Sequence, residues 1–137
     1  MVKYLIASHG RFSEGTVSFL KIMTGEKENV YTLSAFLDDR SIQDLVKDKL
    51  KEIGEFDQLI VFCDIHGGSV AQEVFKQTAS DDRNIQIIAG YNLALVMDLI
   101  LKDSVLSKDD IRESIEGAKN AMVYLNDIKQ THDDELF

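Results

Sequence analysis

An α/β fold, a doubly wound parallel sheet with helices on both faces, is what this sequence predicts, and three observations carry it. Four short runs are apolar at nearly every position, as strands buried on both faces must be. Each run is followed by apolar residues at helical spacing. No repeat, linker or low-complexity stretch divides the 137 residues, which fit one domain with room for a substantial core.

The elements follow in chain order. Strands are expected at Val2 to Ala7, Asn29 to Leu33, Gln58 to Cys63 and Asn84 to Ala89. The first helix should begin with Ser13 as its cap, place Val17, Leu20 and Met23 on one face, and stop at Gly25. In the second, Ser41 with Asp44 resembles a capping box, Ile42, Leu45, Val46, Leu50 and Ile53 share a face, and Gly54 lies beyond the end. Ser69 opens a third, with Val70, Val74 and Phe75 inward, ending before Asp81 and Asp82. Asn92 caps a fourth that turns Leu93, Val96, Leu99 and Ile100 to the core. Ser107 and Asp110 start a fifth carrying Ile111, Ile115 and Ala118. After Gly117 the period is lost, and Met122-Val123-Tyr124-Leu125 reads equally as more helix or as a short strand.

Composition removes several function classes. A net charge of −9 lacks the clustered cations that nucleic acid requires, and favours neutral or basic protein partners. No apolar stretch reaches bilayer-spanning length, and the N-terminus shows no cleavage-site pattern, so the cytoplasm is the expected compartment. The single cysteine, Cys63, excludes an internal disulfide, and its apolar run marks it as a buried thiol.

Right-handed crossovers in a flavodoxin-like order 2-1-3-4 put the first and third strands side by side at the topological switch point. His9 ends the first of these strands and Asp64 the third. Adjacent strands lie ~5 Å apart, so the two side chains come within reach. A carboxylate accepting from Nδ1–H fixes the imidazole tautomer, leaves Nε2 free to attack phosphorus, and balances the positive charge that develops. Gly67-Gly68-Ser69 then supplies close backbone approach, helix N-terminal N–H groups and a hydroxyl for phosphoryl oxygens. Each residue also has a plainer reading. His9 suits a loop histidine bonded to backbone, Asp64 a loop brace and Gly-Gly-Ser an ordinary cap, while His66 as a second acid/base or phosphate donor and Arg11 as a phosphate clamp stand against plainer roles as solvated loop side chains. His132 sits in the acidic tail. His9, Asp64 and His66 are ligand types for zinc or iron, although no compact ligand-pair motif joins them. A phosphoacceptor at Asp64 would want acidic magnesium ligands after the first strand, where His9-Gly10 stands.

Ala7-Ser8-His9-Gly10, Asp64-Ile65-His66-Gly67-Gly68-Ser69 and Ala89-Gly90-Tyr91-Asn92-Leu93 together resemble the IIA component of the mannose family (mannose/fructose/sorbose) of the bacterial phosphoenolpyruvate-dependent sugar phosphotransferase system. The resemblance implies a domain over 1–127 with an acidic tail over 128–137. It matches His9 to the phosphorylated histidine, Asp64 to its acidic partner and Ser69 to the hydroxyl closing the loop. The implied partners are HPr as phosphoryl donor and a IIB component as acceptor, with membrane IIC and IID components indirectly and no cofactor or metal. It further implies a homodimer in which a short strand at residues 122–125 completes the other subunit's sheet. His66 replaces an aromatic residue of many members, and Val70 and Ala94 replace prolines, which bears on IIB recognition rather than on acceptor chemistry. Two other functions suit the same fold: the IIA-like phosphotransfer domain of a dihydroxyacetone kinase system, and a regulatory domain without turnover.

Overall fold

The computed structural model describes residues 1–128. Its strands are β1 (Val2–His9), β2 (Val30–Ala35), β3 (Gln58–Cys63) and β4 (Ile85–Ala89), and its helices are α1 (Phe12–Thr24), α2 (Ile42–Ile53), α3 (Ser69–Thr78), α4 (Leu93–Lys102) and α5 (Lys108–Lys119). The sheet runs β2-β1-β3-β4 with every pairing parallel, as expected from the alternation of strands and helices.

Period-two alternation sorts the strand side chains into two cores. Tyr4, Ile6, Ile60 and Phe62 point to one face, against Leu20 of α1, Val96, Leu99 and Ile100 of α4 and Ile111 of α5. Leu5, Ala7, Leu59, Val61 and Cys63 point to the other, against Val46 and Ile53 of α2 and Val70 and Val74 of α3. Burial on both faces is why β1 and β3 read as continuous apolar runs.

The capping predictions hold at three helices. Ser41 accepts from the Asp44 N–H, Asn92 from the Leu95 N–H, and Ser107 forms a reciprocal capping box with Asp110. At α1 the prediction fails. Ser13 lies inside the helix, fully buried, with its hydroxyl on the Leu33 carbonyl; Ser8 of β1 supplies the cap by accepting the Ser13 N–H at 2.7 Å. Because the Ser8 hydroxyl also donates to the Gly10 carbonyl, one buried group ties together the strand end, the His9 loop and the helix start. Ser8→Ala is therefore expected to cost about 1–2 kcal/mol, a cap lost with a buried N–H left unpaired, read as a lower urea midpoint.

Other differences concern which helix face is inward. Met23, Phe75 and Leu93 are 55%, 66% and 39% exposed, while Thr16, Glu73 and Leu95 occupy the inner positions instead. The β2 strand is shifted, starting at Val30 and reaching Ala35. Residues 122–125 continue neither α5 nor the sheet. Leu125–Asp127 is a short 3-10 turn, and Met122, Val123, Tyr124 and Leu125 are all exposed.

Candidate functional site

His9 and Asp64 meet where the sheet order brings them. The β1–β3 ladder ends with Ala7 opposite Cys63, and the Asp64 N–H extends it by donating to the Ala7 carbonyl. Asp64 Oδ2 accepts from the His9 backbone N–H at 2.7 Å and lies 2.8 Å from Nδ1 of the imidazole, while Oδ1 accepts from the Ile65 N–H at 3.0 Å. Both carboxylate oxygens are thus committed. Asp64 is 12% exposed at its side chain and His9 43%, so the carboxylate is held inside while the ring reaches solvent.

The other ring nitrogen faces the glycine loop. His9 Nε2 is 3.3 Å from the Ser69 hydroxyl. Gly68 caps α3, and a Cβ added there would stand 3.3 Å from His9 Cε1 and 2.6 Å from the Ile65 side chain. Only a residue without Cβ lets the loop close on the ring this tightly. Gly67, at φ +78°, makes the turn that aims the start of α3 at the histidine. The first N–H groups of that helix have no carbonyl of their own helix to pair with. With Nδ1–H donating to Asp64, Nε2 keeps its lone pair, and the arrangement can present an uncharged nucleophilic nitrogen beside donors suited to an anion.

Burial alone would push the Asp64 carboxyl up, but hydrogen bonds from the His9 N–H, the imidazole and the Ile65 N–H hold it below its ordinary value. A carboxyl depressed on folding adds stability above its unfolded value, about 4, and that stability is lost as pH falls through the lower folded value. Wild type should accordingly lose stability on acidification below about pH 4 more steeply than Asp64→Asn, the two converging at the acid end in pH-dependent urea unfolding.

Not every residue singled out in the sequence joins this cluster. Arg11 is 72% exposed at its side chain and pairs with Glu14 at 3.4 Å instead of reaching the loop. His66 is exposed beside Gly67, Ala71, Gln72, Phe75, Ile87 and Ala89, lining a shallow groove, and it makes no hydrogen bond to His9 or Asp64. His132 lies outside the described residues. Among the described residues no three His, Cys, Asp or Glu side chains converge as a metal ligand set. Cys63 is fully buried, and burial with the adjacent Asp64 charge pushes its thiol up to about 12, which makes it inert.

Sequence reasoning missed one neighbour of the imidazole. Phe36 follows β2 and stacks on the His9 ring at 5.2 Å between centroids and 25° between planes. Ending the strand at Leu33 hid it; the usable signal was an apolar Phe-Leu pair in a loop that the strand order sets beside the first strand.

Comparison with known proteins bears directly on this geometry. A family model described as the PTS system fructose IIA component matches residues 3–116. The chain belongs to this family of phosphotransferase-system IIA components. A solved structure of a candidate permease of the phosphoenolpyruvate-dependent sugar phosphotransferase system from Klebsiella pneumoniae is similar, with 28% identity over 91% of each chain and a TM-score of 0.81. So is a PTS IIA protein associated with the fucose utilization operon of Streptococcus pneumoniae, at 25% identity, 92% of this chain, 94% of that one and a TM-score of 0.79. The mannose/sorbose specific IIA subunit of Enterococcus faecalis shares the fold at 20% identity, over 95% of this chain and 96% of that one, with a TM-score of 0.79. Like its family, this IIA component belongs to a phosphotransfer system for sugars. No helix among its described residues is long and apolar enough to cross a membrane.

Proposed function

We propose that this IIA component carries phosphoryl groups on His9, taking each from phospho-HPr and passing it to a IIB component that serves a membrane IIC/IID transporter. The observation that carries the reading is the commitment of His9 Nδ1 to Asp64 while Nε2 faces Ser69 and the N-terminus of α3. In the transfer, the Nε2 lone pair forms the new N–P bond as the P–N bond of the donor phosphohistidine breaks, and its electron pair returns to the donor nitrogen. The Nδ1 proton stays between His9 and Asp64. The ring therefore acquires positive charge next to a fixed carboxylate, and the arriving oxygens meet the Ser69 hydroxyl and the N–H groups that open α3. Return to IIB is the same step reversed.

The working protein in this reading is a cytoplasmic homodimer that needs no metal or organic cofactor. Its domain spans 1–127, followed by the acidic tail. Exposure of Met122, Val123, Tyr124 and Leu125 beyond α5 supports their use as a strand exchanged between subunits.

Incubation with labelled phosphoenolpyruvate, enzyme I and HPr should give an acid-labile, base-stable phosphoprotein. His9→Ala should take no label, whereas label retained by that variant, or absent from wild type, contradicts the proposal.

A further inference from the structure

Phe36 occupies a conformation that needs a reason. It is a bulky residue at φ +64°, where residues other than Gly, Asn, Asp and His are uncommon, and it stays 54% exposed instead of joining either core. Its close aromatic neighbour is the His9 imidazole, at 5.2 Å and 25°. Position follows from register: Ala35 lies opposite His9 in the β1–β2 ladder and its carbonyl accepts the Gly10 N–H, so the next residue is carried past the histidine. The left-handed turn at Phe36 then lays its ring on the imidazole.

We infer that Phe36 is a positioning residue for His9, holding the imidazole plane so that Nε2 faces the glycine loop and favouring the charged ring formed on phosphorylation. The inference rests on His9 being the phosphoryl acceptor. The Asp64 contact fixes one ring nitrogen but leaves the plane able to swing about that hydrogen bond. Phe36 covers one face of the ring, and the Gly68 backbone closes on its Cε1 edge. With the Nδ1 proton retained, an Nε2-phosphorylated imidazole carries delocalised positive charge, which the negative face of a benzene ring attracts.

Single-turnover phosphorylation with phospho-HPr, titrated to saturation, separates this role from plain docking. Phe36→Gly relaxes the backbone at φ +64° and is expected to keep its thermal midpoint within about 3 °C. It should nevertheless lose about five- to tenfold in rate at saturating donor. Phe36→Leu keeps apolar surface but no π face and should show the same rate loss at an unchanged half-saturating concentration. Phe36→Tyr should restore the rate. A loss confined to the half-saturating concentration, or wild-type rates in Phe36→Gly or Phe36→Leu, overturns the inference. Nuclear Overhauser contacts between the Phe36 ring and the His9 Hε1 and Hδ2 protons test the stacking in the unphosphorylated protein. Their absence from wild type defeats the positioning role even if label is taken up, and wild type that takes no label defeats the acceptor assignment instead.

Discussion

Asp64→Asn is expected to slow phosphoryl acceptance by on the order of 10²- to 10⁴-fold in a single-turnover assay, with the folded state retained by circular dichroism. The reason is that both oxygens of Asp64 act only as acceptors: Oδ2 for the His9 N–H and Nδ1, Oδ1 for the Ile65 N–H. An amide of the same shape must turn its NH₂ toward one of these. If it faces Ile65, two donors oppose each other and the loop is displaced. If it faces His9, Nδ1 must become the acceptor, the proton moves to Nε2, and the attacking lone pair is gone. Either orientation also removes the charge that would balance a phosphorylated ring. A rate within about threefold of wild type would show that Asp64 is only a loop brace.

Phe62→Ala should cost about 3–5 kcal/mol in urea unfolding, a large share of the stability of a domain of this size. Phe62 is fully buried near the carboxyl end of β3, a central strand of the sheet, stacked with Tyr4 at 6.5 Å and edge-on to Tyr91 at 6.1 Å. Removing its ring opens a cavity between the sheet and the α1 and α4 layer, where the rigid backbone of a central strand cannot collapse. It also frees Tyr91, whose hydroxyl lies 2.8 Å from Thr16 and whose ring stacks on Phe12, at the start of the helix after His9. Loss of less than about 1.5 kcal/mol would mean that the site refills and that this face of the core is loosely packed.

What the sequence showed directly was whatever depends on local chemistry or on sheet connectivity. The Val2 and Gln58 runs are apolar because both faces are covered, so their places and the switch point between them are legible in the chain itself. From there the meeting of His9 and Asp64 followed from strand order alone. The cap at Ser13 was wrong because the group that does the work, Ser8, comes from the preceding strand, and its hydroxyl crosses a loop that local patterning cannot fold. Met23, Phe75 and Leu93 were assigned inward on helical period, yet each sits at the margin of an apolar stripe where neighbouring elements decide exposure. Phe36 was hidden for a related reason. A solvent-facing aromatic in a loop carries no periodicity, and its left-handed backbone and its stack on His9 exist only in three dimensions.

Gln58 illustrates the same boundary from the side of stability. It reads as a polar strand start, but it is fully buried, donates to the Leu106 carbonyl and accepts the Leu106 N–H, each at 2.9 Å. The connection between α4 and α5 is thereby fastened to the sheet end away from His9. Polar groups at both strand ends are thus structural here, Gln58 at the amino end of β3 and Ser8 at the carboxyl end of β1, while the carboxyl ends also bring His9 and Asp64 together, where open α/β sheets place their ligands.

The most direct measurement is the ³¹P spectrum of the protein carrying ¹⁵N-labelled histidine after phosphorylation through enzyme I and HPr. The phosphorus should couple to a single imidazole nitrogen assigned to Nε2 of His9, with Nδ1 still protonated toward Asp64. Coupling to Nδ1, phosphate on His66, or an acyl phosphate on Asp64 would contradict the account.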